Sequence, residues 1–197
     1  MKVNCDNDGI KKVVEIFKNG GVIVFPTDTV YGIGCDPYNE NALKKIYEIK
    51  SRDKIKSLPV LAYSIDIVKQ IVMMDKLTEK IVEKYWPGPL TLILKLKDQK
   101  LKKSLNLEEK IAIRIPNSEC TLKLLKECNL LVGTSANVSG DSSFTDPQKC
   151  IENLKNYDAF VDGGTITSKG ESTIIEIENE KIHVIREGAL KKEDIKI

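Results

Sequence analysis

The chain has 197 residues, of which 41% are hydrophobic and 30% are charged, a balance typical of one globular domain rather than of a disordered or membrane-spanning protein. Lys and Arg (31) almost cancel Asp and Glu (29), so the composition excludes a strong overall attraction to nucleic acid, and any anion site has to be local. No apolar run approaches the roughly eighteen residues that span a bilayer, and we expect a single cytoplasmic domain covering residues 1–197.

Helical periodicity and capping residues predict six helices along the chain. They run from a cap at Asn7 or Asp8 to Gly20-Gly21, from Asn39 or Asn41 to the cationic run 50–56, over 65–73, 78–85 and 119–127, and from a cap at Asp146-Pro147. Short apolar runs rich in β-branched residues predict the strands between them. These strands are 22–25, 58–62, 90–96, 111–115, 130–132 and 159–161, followed by a hairpin of 173–177 and 181–186 around Glu178-Asn179-Glu180.

The order of these elements favours an α/β fold. Strands that alternate with helices, followed by a terminal hairpin, predict a twisted sheet of mixed parallel and antiparallel strands with flanking helices. The segment P-T-D-T-V-Y-G-I-G-C-D-P, which follows the first strand, is rich in hydroxyls and glycine and is predicted to be a loop.

The cysteines and the single histidine limit the kinds of catalytic and metal site that the sequence can form. The five cysteines are scattered and include no C-x-x-C pair, which predicts reduced thiols and no structural zinc site. The chain has one histidine, His183, on a predicted strand. A Ser-His-Asp or Cys-His relay would have to use that residue, so mechanisms of this kind are disfavoured.

Cations and hydroxyls gather instead at the ends of predicted elements. Lys50, Arg52, Lys54 and Lys56 fall within seven residues, a pattern typical either of a solvated helix end or of an anion site. Arg114 interrupts an apolar strand, so it either meets an internal carboxylate or points into an anion site.

A second polar segment, G-T-S-A-N-V-S-G, follows the strand 130–132. It is either an ordinary polar turn or a holder of phosphate or carboxylate oxygens, because its hydroxyls, amide and backbone N–H groups all donate hydrogen bonds. The sequence has neither G-x-x-x-x-G-K-[ST] nor G-x-G-x-x-G, so any nucleotide site is unconventional.

Taken together, the motifs resemble the YrdC-like threonylcarbamoyl-AMP synthases of tRNA modification. The matching segments, in the family's order, are P-T-D-T-V-Y-G-I-G, K-S-R, W-P-G-P-L-T, I-A-I-R-I-P, T-S-A-N-V-S-G, S-T-I-I-E-I and V-I-R-E-G-A, and they cover residue 20 to about residue 190. The resemblance implies a YrdC/RibB-like fold in its short, single-domain form. It also implies a nucleotidyltransferase that makes L-threonylcarbamoyladenylate and pyrophosphate from L-threonine, bicarbonate and ATP, with Mg²⁺ carried by ATP.

The resemblance also implies partners and residue roles. The product would serve N6-threonylcarbamoyladenosine synthesis at position 37 of tRNA through a separate transferase of the Kae1 or TsaD type. The implied catalytic residues are Lys50 and Arg52 at the ATP phosphates, the threonine ligands are Thr29, Arg114 and Ser135, and the other ATP ligands are Asn137, Thr145 and Arg186. No protein residue is implied as a metal ligand. Tyr31 either walls the pocket or packs in the core.

Two alternatives stay open at this point. A nucleic-acid-binding module that contacts tRNA or double-stranded RNA would need a broader positive stripe than the one cluster at 50–56. A phosphosugar lyase on a related fold would need acidic metal ligands and a histidine, and no such constellation stands out.

Overall fold

The computed structural model describes residues 1–53, 55–178 and 181–196. Lys54 of the predicted cationic run, and Asn179 and Glu180 of the predicted hairpin turn, therefore lie outside the described residues. The helices of these ranges are α1 (Asn7–Lys18), α2 (Glu40–Ile49), α3 (Ile65–Ile71), α4 (Lys76–Tyr85), α5 (Gln99–Ser104), α6 (Glu119–Cys128) and α7 (Pro147–Asn153). The strands are β1 (Lys2–Asn4), β2 (Ile23–Pro26), β3 (Tyr31–Gly34), β4 (Val60–Ala62), β5 (Leu90–Lys95), β6 (Lys110–Arg114), β7 (Leu130–Val132), β8 (Thr134–Ser135), β9 (Ala159–Asp162), β10 (Thr173–Glu178) and β11 (Lys181–Arg186).

Each of these helices begins behind a side chain that accepts a backbone N–H. The N-caps are Asp6, Asn39, Ser64, Asp75, Asp98, Ser118 and Asp146. Such caps satisfy amide groups that have no partner inside the helix, which fixes where each helix starts. The predicted caps at Asn39 and Asp146 are confirmed, whereas the cap of α1 is Asp6 rather than Asn7 or Asp8.

The strands form two mixed sheets where the sequence predicted one, and the mixed α/β class is confirmed. The first sheet has the order β1-β9-β2-β3-β8, and the second has the order β11-β10-β5-β6-β4-β7. Both contain parallel and antiparallel pairs. The terminal hairpin of β10 and β11 is confirmed, and β10 also pairs in parallel with β5, so the hairpin extends the second sheet.

The predicted loop after the first strand is in part a strand. Tyr31–Gly34 pairs antiparallel with β2 and also with β8, so the loop prediction is wrong for these four residues. They form a strand because the short turn at 27–30 returns the chain alongside β2, although two of the four residues are glycine. Four further short elements were not predicted, namely β1, α5, β8 and a 3-10 helix at Lys192–Asp194.

The sheets pack through two apolar clusters. β2 is buried on both faces, with Val24 in the main core and Ile23 and Phe25 under α1 and α6. This explains its continuous apolar sequence, because a strand covered on both sides has no polar face. No helix in the described ranges is long and apolar enough to cross a membrane.

One cysteine pair corrects the prediction of five reduced thiols. Cys5, just after β1, and Cys120, in the first turn of α6, form a disulfide with a Cα–Cα distance of 5.7 Å. Sequence spacing gave no sign of this pair because 115 positions separate the two residues. Cys35, Cys128 and Cys150 are free thiols.

The chain crosses between the sheets at Gly133. β7 belongs to the second sheet and β8 to the first, and Gly133 between them donates its backbone N–H to the carbonyl of Pro59 over 2.9 Å. Close by, Val132 N donates to the carbonyl of Cys35 over 2.9 Å. The S-A-N segment therefore starts at the point where the two sheets meet.

Candidate functional site

A cavity of about 330 Å³ lies between the two sheets. One wall is formed by β2, β3, β8 and the turn between β2 and β3. The other is formed by β4, β5, β6, β10 and β11, together with the segment that precedes β4. Five of the residues predicted to bind substrates line it, and these are Thr29, Arg52, Arg114, Ser135 and Arg186.

All three arginines of the sequence line this cavity. They are Arg52, Arg114 and Arg186, while the other 28 cationic residues of the chain are lysines. Arginine differs from lysine in its rigid planar fork, which matches carboxylate and phosphate oxygens with two parallel hydrogen bonds. The restriction of arginine to one cavity indicates that this place needs the fork and not merely a positive charge.

The Arg114 guanidinium is held on three sides. Its Nε donates to the carbonyl of Gly88 over 2.8 Å, its Nη1 donates to Thr29 Oγ1 over 3.0 Å, and its Nη2 donates to the Asp28 carboxylate. Both of the interpretations that the sequence left open are therefore met, since Arg114 pairs with an internal carboxylate and also faces the cavity. Burial, and after it the charge of Arg186, lowers the pKa of Arg114.

Two sequence motifs place these partners. Gly88 belongs to W-P-G-P, where its own N–H donates to the carbonyl of Ile115 over 2.9 Å and so ties the turn to the end of β6. Thr27 fixes the P-T-D-T turn, because its hydroxyl donates to the carbonyl of Val30 over 2.6 Å and accepts the N–H of Thr29 over 3.1 Å. The two turns come from opposite walls and meet at one guanidinium.

The other two arginines lie at the second wall, as Arg114 does. Arg52 donates from Nη2 to the carbonyl of Ser57 over 3.0 Å and from Nε to that of Lys56 over 3.2 Å, so the K-S-R segment folds around its own side chain. Arg186 is paired with Glu171 and also donates from Nη2 to the carbonyl of Ser172 over 2.8 Å. Burial, and with it the charge of Arg186, lowers the pKa of Arg52. The cations are therefore close enough to repel one another, and a bound polyanion would relieve that repulsion.

Lys50 joins the K-S-R segment to the S-A-N segment. Its side chain is 1% exposed, and its Nζ donates to the carbonyl oxygens of Ser135 and Asn137 and, over 3.3 Å, to Asn137 Oδ1. The backbone carbonyl of Lys50 also accepts the N–H of Ser139 over 2.8 Å. Burial, followed by the charge of Arg52, lowers the pKa of Lys50 to about 8.

Three of the predicted residues do not line the cavity. Lys50 and Asn137 are buried in the contact just described, and Thr145 is half-buried, with its carbonyl accepting the N–H of Ile166 over 2.9 Å. Their roles at ATP stay predictions. Tyr31 is fully buried against Phe160, with ring centroids 5.3 Å apart, and does not line the cavity.

Sequence reasoning missed several polar residues of the site. Asp28 pairs with Arg114, and Glu171 pairs with Arg186. The carbonyl of Ser172 accepts a hydrogen bond from Arg186, and the hydroxyl of Ser172 accepts one from the Thr91 hydroxyl over 2.8 Å. Asp28 stood inside the P-T-D-T motif, so a carboxylate partner for Arg114 could have been sought there. Glu171 and Ser172 gave no signal of their own, because it is the antiparallel register of β10 and β11, with Ile174 opposite Arg186, that brings them to that arginine.

Comparison with known proteins assigns this fold to a family. A family model described as telomere recombination, which covers the Sua5, YciO and YrdC proteins, matches residues 15–188. The chain belongs to the Sua5/YciO/YrdC family. This confirms the resemblance drawn from the motifs, and it puts the cavity in a family with named members of known structure.

Three relatives describe the similarity. The putative threonylcarbamoyl-AMP synthase of Methanocaldococcus jannaschii is 37% identical over 187 residues, covering 91% of this chain and 87% of that protein. The threonylcarbamoyl-AMP synthase of Bacillus subtilis is 32% identical over 200 residues, covering 98% of this chain. The crystal structure of Pyrococcus abyssi Sua5 complexed with L-threonine has a TM-score of 0.91 at 28% identity and covers 99% of this chain. The chain spans 57% of the Bacillus protein and 59% of the Pyrococcus chain.

Proposed function

We propose that this chain is an L-threonylcarbamoyladenylate synthase that acts through one domain of residues 1–197. In this role it is a nucleotidyltransferase that forms threonylcarbamoyl-AMP and pyrophosphate from L-threonine, bicarbonate and ATP. The observation that carries the proposal is the convergence of all three arginines on one cavity between the sheets. The names of the relatives, and the L-threonine complex of the Pyrococcus Sua5, support this choice of substrates.

The two ends of the cavity suit the two substrates. At one end Arg114 stands beside Thr29 and keeps part of its guanidinium free of the Gly88, Thr29 and Asp28 contacts, which suits the carboxylate of threonine. At the other end Arg52 and Arg186 suit a polyphosphate. Ser135 lies between the sheets on β8 and is assigned to threonine.

The chemistry needs no histidine. The threonine amine and bicarbonate form a carbamate with loss of water, and a carbamate oxygen then attacks the α-phosphorus of ATP. The bond from the α-phosphorus to the bridging oxygen breaks, and pyrophosphate leaves with the electron pair. The protein contributes by positioning the two anions and by neutralising the charge that develops on the leaving group.

The remaining predicted residues serve this arrangement. Lys50 holds the S-A-N segment through the Ser135 and Asn137 carbonyls, so its assigned catalytic effect includes the placement of that segment next to the phosphates. Asn137 and Thr145 are assigned to the nucleotide side. Magnesium is assigned to the substrate complex with ATP, as the family resemblance implies.

The product is a mixed anhydride, which reacts with amines and with water. We therefore assign a separate threonylcarbamoyl transferase of the Kae1 or TsaD type as the partner that consumes it for tRNA modification. Contact of this chain with tRNA itself is a separate question, to be answered by binding measurements at several salt concentrations.

The test is pyrophosphate release from MgATP, with threonine and bicarbonate omitted in turn. We expect release only when all three substrates are present, together with threonylcarbamoyl-AMP detected by mass spectrometry. Release that is equal without threonine or without bicarbonate would contradict the proposal. Salt-sensitive binding of double-stranded RNA with no pyrophosphate release would favour the nucleic-acid-binding alternative.

A further inference from the structure

The cavity holds one negative charge among its cations. Of the described residues that line it, Arg52, Lys56, Arg114 and Arg186 are cationic and Glu171 is the one carboxylate. A carboxylate in a site for a polyphosphate is unfavourable for binding, because the two anions repel each other across a few ångströms. Its presence therefore needs a reason.

Placement of Arg186 is not that reason. Its Nε and Nη2 donate to the Ser172 carbonyl over 3.2 and 2.8 Å, and Nη2 also donates to Ser172 Oγ over 3.2 Å. Ser172 is itself fixed by the hydroxyl of Thr91 on β5. The guanidinium is held in its plane without help from the carboxylate.

Glu171 instead occupies the edge of Arg186 that a ligand oxygen would use. Its carboxylate pairs with Nη1, the nitrogen that makes no contact with Ser172. The charge of Glu171 also acts on Lys50 and Arg52. Burial and neighbouring cations lower the pKa of both groups, and Glu171 acts in the opposite direction. One carboxylate thus offsets the repulsion within the cationic group.

The backbone around Glu171 is anchored while its side chain has room to turn. The carbonyl of Glu171 accepts the N–H of Ala189 over 2.8 Å, and the next residue begins the path into β10. The side chain of Glu171 is 29% exposed, so it reaches solvent. A change of side-chain rotamer would release Arg186 without any movement of the strand.

We propose that Glu171 is a built-in counter-anion that occupies the Arg186 edge in the empty protein and is displaced by the polyphosphate of the nucleotide. This inference rests on the proposed function for the identity of the nucleotide, but not for the binding of a polyphosphate. Glu171 then sets the affinity for the polyphosphate by competing with it, and it keeps the cationic cavity stable when no ligand is bound.

The experiment measures binding of inorganic tripolyphosphate by titration calorimetry to the full chain, to Glu171→Gln and to Glu171→Ala. Glu79→Gln is the matched control, because Glu79 pairs with Lys69 at similar exposure and does not line the cavity. At low ionic strength we expect tripolyphosphate to bind about tenfold more tightly to both Glu171 variants. The gain should shrink as salt is raised to about 1 M, where charges are screened within about 3 Å.

Binding that is weaker or unchanged in both Glu171 variants, with Glu79→Gln like the wild type, would overturn the inference, as would a failure of all proteins to bind tripolyphosphate. Thermal unfolding of each variant distinguishes a lost fold from a lost site. Tighter tripolyphosphate binding without any pyrophosphate release from ATP would leave the inference standing and refute the proposed function. The two failures are therefore distinguishable.

Discussion

Arg114 Nη1 on β6 donates to Thr29 Oγ1 over 3.0 Å, and this hydrogen bond joins the second sheet to the first. The same guanidinium takes its other partners from W-P-G-P and from Asp28. Two motifs that lie some sixty residues apart in the sequence therefore act on one side chain. The proposed threonine site is a product of how the sheets meet, and its properties should follow from this contact.

Replacing Arg114 or Arg186 by lysine should distinguish the proposed threonine end of the cavity from the proposed polyphosphate end. Arg114→Lys keeps the charge but loses the fork, so we expect the KM for threonine to rise by about 10-fold to 100-fold with the KM for ATP nearly unchanged, as for loss of a charged hydrogen bond. Arg186→Lys should do the reverse. Steady-state pyrophosphate release at varied threonine and varied ATP measures both, and equal effects on the two constants in both variants would contradict the assignment.

The buried Lys50 should make stability depend on pH. Its pKa is lowered to about 8 from 10.5, so above pH 8 the native protein loses a proton that the unfolded chain keeps until about pH 10.5. The free energy of unfolding contributed by Lys50 therefore rises with pH through this window and is constant below it, by roughly 3 kcal/mol in total.

Urea unfolding of the wild type and of Lys50→Met at pH 7.5 and pH 10 measures this change as a difference between the two proteins. Lys44→Met is the control, because the Lys44 side chain is 65% exposed. A difference between wild type and Lys50→Met that is the same at both pH values would refute the prediction.

The Cys5–Cys120 disulfide should stabilise the fold. It closes a long loop, so its reduction releases the unfolded chain from a constraint, and we expect a loss of about 2–4 kcal/mol. Denaturant unfolding with and without a reductant measures it, and Cys5→Ser should match the reduced wild type and not respond to reductant. Peptide mapping of the oxidised protein identifies the pair, and equal unfolding midpoints in both conditions would count against it.

Gly34 should tolerate no side chain. A Cβ atom there would lie 1.7 Å from the carbonyl oxygen of Val132, so Gly34→Ala has to push β3 away from β7 where the two sheets approach. We expect destabilisation of about 1–3 kcal/mol, the range seen for overpacked interiors. Gly140→Ala is a useful comparison, since nothing lies within 4 Å of a Cβ there and any cost comes from its φ of +99° alone. Equal stability of Gly34→Ala and the wild type would show that the sheets can separate without cost.

The elements that sequence reasoning found are those whose signals are local. A few neighbouring residues are enough to recognise a helix cap such as Asn39 or Asp146, or an apolar run such as that of β2. One side chain determines where the helix begins, and burial of the strand determines that its residues are apolar. β3 and β8 could not be recognised in this way, because their glycines and hydroxyls are typical of loops and their pairing with each other is what makes them strands.

The same distinction holds for the site. Arg52 and Arg114 could be singled out from the sequence itself, as part of a cationic run and as a charge inside an apolar strand, whereas Arg186 was named only through the family resemblance. Of their partners, Asp28 stood inside the P-T-D-T motif and could have been sought there, whereas Glu171 carried no local signal. Nor could sequence spacing show that Lys50 is buried against the S-A-N segment.

The placement of β10 between β5 and β11 has a consequence for synthesis. A nascent chain that has left the ribosome as far as Ser135 already carries Thr29, Arg52 and Arg114, yet it lacks the hairpin that brings Arg186 to the second wall. Domains fold as the chain emerges, so this site is assembled last, after nearly all of the sequence is in solution. A product truncated after Ser135 contains four strands of the second sheet, β4 to β7, but lacks β9 of the first sheet and the β10-β11 hairpin, so it offers no closed cavity to a polyphosphate.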